Sequence, residues 1–182
     1  GLIASGVGDL LGKYTALADW KITNILDGEY ICDRICEMEY DALDKLKESL
    51  DGLSNRDINA YEELMYGLLL SGLAMQMTGH SRPASGAEHH MAHFWEMAVI
   101  NDEIDAYHGE KVGVGLIQVS DIYHEAVKYL KEGNFKVKDH VDIETDLIEK
   151  TFTNKELCES IKKTNDPNLL DLIDPKVLRE KT

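Results

Sequence analysis

Histidine is the residue type in this sequence best suited to chemistry, and most of the histidines are close together. Five of the seven lie between residues 80 and 108, three of them within the stretch SRPASGAEHHMAHFWEM. On a helix, His89 and His93 are one turn apart on one face, whereas His90 points about 100° away. Such a pair can bind one metal ion, or can place one ligand beside one proton donor. His108 follows in the stretch YHGEK.

The histidine-rich helix does not match the zinc-protease motif HExxH. It reads HHMAH, so the glutamate that would activate water is missing, and Glu88 precedes the first histidine. We therefore disfavour a zinc protease.

A carboxylate in the stretch GVGDLLGKYT completes a candidate site. This stretch fails as a dinucleotide-binding G-x-G-x-x-G loop, because a leucine stands where the third glycine is required. The simplest interpretation of Asp9 is a helix N-cap with Lys13 as a solvated ion-pair partner one turn later. As the alternative, Asp9, His89 and His108, at three helix ends, would form a three-ligand site with an open fourth position, as in catalytic Zn²⁺ or Fe²⁺ centres. His93 would then carry a proton beside that site.

Composition indicates a globular protein and disfavours several classes of partner. Of the 182 residues, 43% are hydrophobic and 29% are charged, which is typical of a folded protein. The net charge of −15 disfavours DNA, RNA and anionic membranes. Three cysteines form no disulfide or zinc framework, which fits a reducing, cytoplasmic setting. The longest apolar run, 64–77, is too short for a transmembrane helix.

The elements that must position these residues are helices. Apolar residues recur at helical spacing after the glycines of SGVGD and again from residue 31. Ser54 or Asn55 can cap a further helix, whose segment Leu64–Met77 we expect to be buried on all sides. We expect the histidine helix to run to about Asn101 and the stretch DAYHGEKVGVG to be a loop before the next helix. Shorter helices are predicted around 140–152, 154–163 and 168–180. The predicted fold class is all-α, a multi-helix bundle, and the one candidate strand is GLIAS.

Three stretches together resemble the C-terminal helical domain of the sn-glycerol-1-phosphate dehydrogenases. That family belongs to the iron-containing alcohol dehydrogenase, glycerol dehydrogenase and dehydroquinate synthase superfamily. The stretches are SGVGDLLGKYTALADW, GHSRPASGAEHHMAHFWEM and YHGEKVGVG, in this order between residues 5 and 115. The resemblance implies the C-terminal domain of the dehydroquinate synthase-like fold for 1–182, with the motif-bearing helices in 1–132 and shorter terminal helices in 133–182.

The nucleotide-binding α/β domain of that family has no counterpart in the sequence. The chain starts at Gly1 rather than at a methionine, and we expect it to be part of a longer protein. The resemblance implies that NAD(P)H is bound mainly by the missing N-terminal domain, and that the chain alone is inactive as a dehydrogenase. Apolar residues in the first helices are expected to dock against that domain or against another subunit of a homo-oligomer.

The resemblance also assigns roles to the histidines and the aspartate. Asp9, His89 and His108 match the family's metal ligands, and Asp9 also touches substrate. His93 matches a substrate-contacting histidine and is the expected catalytic residue. Lys13 stands where iron-dependent relatives have a fourth ligand, a histidine, so we expect Zn²⁺, with Fe²⁺ or Ni²⁺ as alternatives.

The implied reaction is the reduction of dihydroxyacetone phosphate to sn-glycerol 1-phosphate, a step in phospholipid metabolism. A metal would polarise the carbonyl, and His93, or a water that it holds, would deliver the proton. Ser81, Arg82 and Ser85 are the candidates for binding the phosphate, while an Arg82 that merely pairs with a neighbouring acid is the alternative.

Two other functions stay open, and four histidines receive no site role. A glycerol or other polyol dehydrogenase of the same superfamily would need no phosphate anchor, and a stand-alone helical metal-binding module would have no catalysis. His90 is expected to be a packed or hydrogen-bonded neighbour of the site. His80, His124 and His140 are expected to be structural or on the surface.

Overall fold

The structure, a computed structural model, is all-α over the part of the chain that it describes, which confirms the predicted fold class. The described residues are 1–97, 105–133, 136, 143–166, 172–174, 176–177 and 180. The chain divides into two compact units. The first comprises Gly1–Trp95 and Asp105–Glu125, and it contains all the candidate site residues.

Helices α1 (Leu2–Leu11) and α2 (Lys13–Asp27) follow each other with only Gly12 between them. Gly12 itself has helical backbone angles, φ −54° and ψ −23°, so the chain bends here without a loop. The stretch GLIAS is therefore helical, and its prediction as a strand was wrong. Asp9 lies in the last turn of α1 and is not an N-cap, because the glycines before it do not end or delay the helix.

Helices α3 (Asp33–Ser54) and α4 (Ile58–Thr78) pack as an antiparallel pair on α1. The cap of α4 is Asp57, whose side chain accepts a hydrogen bond from the amide of Asn59; neither Ser54 nor Asn55, the predicted caps, has this role.

The prediction that α4 is buried on all sides was wrong. Its small residues Gly67 and Ser71 lie on the buried face, and Gly67 is so close to Leu10 that a Cβ there would be 2.5 Å from Leu10 Cδ2. On the opposite face, Leu69 is 67% exposed and Leu73 is 48% exposed. One face of α4 therefore belongs to the core, and the other contacts nothing within the first unit that would bury it.

Helices α5 (Ala87–Glu96) and α6 (His108–Glu132) supply the histidines. The stretch DAYHGEKVGVG was predicted to be a loop, but α6 begins at its fourth residue, His108. The glycines of this stretch therefore lie inside α6. Gly109 packs against the backbone of Ser5 in α1, and a Cβ at Gly115 would lie 2.7 Å from the carbonyl oxygen of Glu88 in α5. These glycines allow α6 to approach both helices backbone to backbone.

The second unit includes the chain from Ala126 onward. It contains α7 (Thr145–Thr151) and α8 (Lys155–Asn165), which contact each other and correspond to two of the predicted short helices. Most of the predicted helix 168–180, the stretch of the histidine helix beyond Met97, and His140 lie outside the described residues. No helix in the described ranges combines the length and the apolar character needed to cross a bilayer.

Candidate metal and substrate site

Three residues that are far apart in sequence meet at three helix ends. Asp9 is in the last turn of α1, His89 in the first turn of α5, and His108 is the first residue of α6. Their potential ligand atoms all lie within 4.8 Å of one another, and Asp9 Oδ1 is 3.6 Å from His89 Nε2. The fold thus brings together the three residues that the sequence nominated as metal ligands.

Glu88 fixes the orientation of His89. Its carboxylate is fully buried, and Oε1 lies 2.8 Å from His89 Nδ1. Because an ionised carboxylate can only accept, Nδ1 carries the hydrogen and Nε2 is turned towards Asp9. The amide of Gly86 also donates to Oε1, at 2.8 Å, and the hydroxyl of Thr15 donates to Oε2, at 2.6 Å.

The pKa of Glu88 is lowered in spite of its burial. Burial alone would raise the pKa of this carboxyl, but the hydrogen bonds from His89, Thr15 and Gly86 favour the ionised form and outweigh it. Sequence analysis missed the role of Glu88, although an acidic residue on the inner face of an apolar helix is a signal that could have found it.

Asp9 and His89 stabilise each other's charged forms. Burial alone would raise the pKa of Asp9, but the imidazole of His89, 3.6 Å away, and the charge of Lys13 hold it well below its usual range. Burial would lower the pKa of His89, yet the nearby carboxylate of Asp9 and the hydrogen bond to Glu88 raise it.

Lys13 is not the solvated partner that the sequence suggested. Its side chain is only 3% exposed, and Nζ lies 2.6 Å from Asp9 Oδ1. A lysine so deeply buried is uncommon unless it is paired, and here the ion pair bridges the α1–α2 junction.

The residues present fit a divalent metal. Two imidazole nitrogens and one carboxylate oxygen form a donor set that zinc and its first-row neighbours accept. The carboxylate of Glu88 on the far nitrogen of His89 is the arrangement that commonly orients a ligand histidine. Asp9, His89 and His108 would therefore hold the metal, and Glu88 would support it.

A cavity of about 480 Å³ opens beside the three ligands. His93 lies on its wall, with its ring stacked on that of His108 at a centroid distance of 5.1 Å. His90, which we expected only to pack nearby, is exposed and also lines the cavity, as do Ser81 and Ser85. The turn before α5 and its histidines thus face one space.

Arg82 is directed elsewhere. Its Nε donates to Glu29 Oε1 at 3.0 Å, and a second nitrogen lies 3.0 Å from Glu29 Oε2, so the guanidinium forms an ion pair away from the lining of the cavity. This is the alternative that the sequence left open for Arg82.

Two other histidines have partners outside the site. The ring of His80 packs edge-on against Trp20 at 5.6 Å. His124 is exposed, and its Nδ1 lies 2.8 Å from the backbone oxygen of Ser120 on the same helix.

Asp19 connects α2 to both histidine helices. Its Oδ2 accepts a hydrogen bond of 2.7 Å from the amide of Ala87, which begins α5, and its Oδ1 accepts one from the hydroxyl of Tyr123 in α6. Burial raises the pKa of Asp19, the bond from Ala87 opposes this shift, and the nearby charge of Glu88 adds to it.

Comparison with known proteins gives a consistent result, although no protein-family model matches the chain. Proteins named glycerol-1-phosphate dehydrogenase [NAD(P)+] are similar to it. The one from Bacillus licheniformis is 42% identical over 127 residues, which is 69% of this chain and 32% of that protein. The one from Sulfolobus acidocaldarius is 40% identical over 125 residues, 67% of this chain and 34% of the relative.

A more distant relative with the same name, from Pyrococcus furiosus, is 31% identical over 135 residues, 74% of this chain and 38% of that protein. The chain spans about a third of the length of the curated relatives that it matches. It is therefore a homologue of the glycerol-1-phosphate dehydrogenases over the part of their length that it spans.

Proposed function

We propose that this chain is the metal- and substrate-binding part of an NAD(P)-linked glycerol-1-phosphate dehydrogenase, which reduces dihydroxyacetone phosphate to sn-glycerol 1-phosphate. The observation that carries this proposal is the meeting of Asp9, His89 and His108 at the edge of a cavity whose wall includes His93. The names of the relatives supply the reaction class.

The three ligand residues would hold one divalent metal, for which zinc is our first choice. Bound there, the metal would supply Lewis-acid polarisation of the substrate carbonyl. Asp9 has a second carboxylate oxygen beyond the one paired with Lys13, and this oxygen could contact a substrate hydroxyl. Glu88 keeps His89 turned towards the site throughout.

His93 is our candidate for the catalytic proton donor. It lines the cavity one helical turn after His89, and its ring is held face to face with that of His108. A ring nitrogen of His93, or a water held by it, would give its proton to the oxygen that becomes the product hydroxyl. The hydride would come from the reduced nicotinamide.

The phosphate of the substrate would be bound by the turn before α5. The Ser81 and Ser85 side chains line the cavity and can donate hydrogen bonds to phosphate oxygens. Arg82 can take part only if it leaves Glu29. Replacing it by alanine therefore tests whether Arg82 binds the phosphate or only forms an ion pair with Glu29. If Arg82→Ala leaves substrate affinity unchanged in the intact enzyme, the phosphate site consists of the serines without it.

The remaining parts of the proposal concern the whole protein. We infer that the nicotinamide nucleotide is bound mainly by a domain in the two thirds of the relatives that this chain does not span. Without that domain the chain would bind metal but would not turn over substrate. We also propose that the protein is a cytoplasmic homo-oligomer.

The test is the metal content and ligand binding of the purified chain after reconstitution with zinc. We expect about one zinc per chain, as in mononuclear zinc sites, and tighter binding of sn-glycerol 1-phosphate than of glycerol by calorimetry. His108→Ala should lose both properties. His124→Ala removes an exposed histidine of the same helix and should keep both. Equal zinc content in the His108 variant and the wild type would refute the proposed site.

A further inference from the structure

Glu39 is a buried acid for which the proposed chemistry has no use. It lies on α3, its side chain is 0% exposed, and neither carboxylate oxygen receives a hydrogen bond from the described residues. The other buried residues of α3 are apolar: Ile35, Ala42, Leu43, Leu46 and Leu53. Because an unpartnered buried carboxyl destabilises a core, its presence among apolar neighbours calls for a role.

The positively charged residue near Glu39 is Lys13. Burial raises the pKa of Glu39 to about 7, while the positive charge of Lys13 and the nearby hydroxyl of Ser71 act in the opposite direction. Lys13 and Ser71 both line the cavity beside the metal ligands. The rings of Tyr14 and Tyr40, the next residues on the two helices, have centroids 6.5 Å apart. Glu39 on α3 therefore lies across from Lys13 on α2, behind the wall of the site.

Lys13 pairs with the oxygen that a metal would use. Asp9 Oδ1, which is 2.6 Å from Lys13 Nζ, is also the oxygen that faces His89 Nε2 at 3.6 Å. A divalent cation bound by Asp9 and His89 would repel the ammonium so close to it. Since the Lys13 side chain is only 3% exposed, bulk water is a poor replacement for the lost carboxylate partner.

We propose that Glu39 is the second counter-ion of Lys13, so that the ammonium pairs with Asp9 when no metal is bound and with Glu39 when a divalent metal takes the Asp9 oxygen. Glu39 is thus a positioning residue that makes metal binding compatible with a buried lysine. This inference rests on the proposed metal site.

The affinity of the chain for zinc tests the idea, measured by competition with a chromophoric chelator. Glu39→Gln keeps the shape of the side chain but cannot become an anion, and we expect zinc to bind about 10- to 100-fold more weakly, as when other outer-shell partners are removed. Glu63→Gln is the matched control, because Glu63 is a half-exposed acid whose ion pair is with Lys45, and its replacement should have no effect.

A double-mutant cycle with Lys13→Met separates this role from a merely structural one. Without the lysine there is no ammonium to relocate, so Glu39→Gln should change zinc affinity less than two-fold in that background. An equal loss in both backgrounds, or no loss in the wild-type background, would overturn the inference.

A structure of the zinc-loaded chain provides a readout that does not depend on the folding of any variant. We expect Lys13 Nζ within about 4 Å of a Glu39 oxygen and away from Asp9 Oδ1. A lysine that stays on Asp9 beside bound zinc would overturn this inference alone. A wild-type chain that binds no zinc would overturn the proposed function and this inference together.

Discussion

Glu88 determines which nitrogen of His89 is available to the ligand cluster. Three donors hold its carboxylate in place, and one of them is the Nδ1–H of His89. In Glu88→Gln the amide oxygen can still accept from Gly86 and His89, but the negative charge is lost, so the Nδ1–H of His89 is held more weakly and the imidazole can turn. We expect zinc affinity to fall by about 10- to 100-fold.

Equilibrium dialysis with zinc measures this effect, with Glu37→Gln as the control, because Glu37 is a 64% exposed acid on α3. Unchanged affinity in the Glu88 variant would mean that the geometry of His89 does not depend on this carboxylate.

Glu39 makes the stability of the metal-free chain depend on pH. Its pKa is raised by burial from 4.5 to about 7, against the opposing effects of Lys13 and Ser71. Between these values the folded chain binds a proton that the unfolded chain has released, so the free energy of unfolding falls as the pH rises through this window. The full pKa shift of Glu39 corresponds to a change of about 3 kcal/mol in the free energy of unfolding.

Glu39→Gln should remove that dependence, because its amide does not titrate. Relative to wild type, the variant should gain stability between about pH 5 and about pH 8, which urea unfolding at both values would measure. If the free energy of unfolding changed equally with pH in the two proteins, the raised pKa of Glu39 would be contradicted.

The glycines of α6 determine how close the two histidine helices can be. A Cβ at Gly115 would lie 2.7 Å from the backbone oxygen of Glu88, which cannot move without shifting α5. Gly115→Ala should therefore lower the free energy of unfolding by about 1–3 kcal/mol. It should also weaken zinc binding, because His108 on α6 and His89 on α5 would move apart.

Thermal unfolding and zinc titration measure these two effects, and Gly72→Ala is the control. Gly72 lies within α4, and a Cβ there would meet no atom within 4 Å. Alanine favours a helix over glycine by about 0.5–1 kcal/mol, so this variant should be as stable as wild type or more stable. A loss of stability at Gly72 equal to that at Gly115 would exclude close packing as the cause.

Helical periodicity predicted most elements of this chain, but it could not predict which faces would be covered. The burial of α4 was overestimated, because the apolar residues on its outer face look the same in sequence as those on its inner face. The glycines near Asp9 were interpreted as a helix start, and those after His108 as part of a loop with a flat surface for close packing. The backbone atoms that they contact are invisible in sequence, so their position inside helices was not predicted. Asp9, His89 and His108 were nominated together from their residue types, as one of two interpretations, and the family resemblance supported that nomination. The burial of Lys13 and Glu39, by contrast, follows from contacts between helices.

At the scale of the whole molecule, metal binding and folding are linked. The three ligands are at residues 9, 89 and 108 and come together only in the folded first unit. Zinc should therefore stabilise that unit, by about 2.7 kcal/mol when free zinc is 100 times its dissociation constant.

Chemical denaturation with and without zinc, and after removal of zinc by a chelator, measures this stabilisation. His124→Ala should keep it and His108→Ala should lose it. An equal gain in both variants would indicate that zinc binds elsewhere on this acidic chain.

The interior of the first unit contains more acidic than basic side chains. Glu39 and Glu88 are fully buried and Asp9 is partly buried, while Lys13 is the one buried lysine or arginine among the described residues. In terms of the energy landscape, the metal-free chain is locally frustrated at this point, because the Glu39 carboxyl is buried without a hydrogen-bond partner among the described residues. The proposed metal would shift Lys13 towards that carboxyl, so the sequence would be best satisfied by the polypeptide together with an added cation.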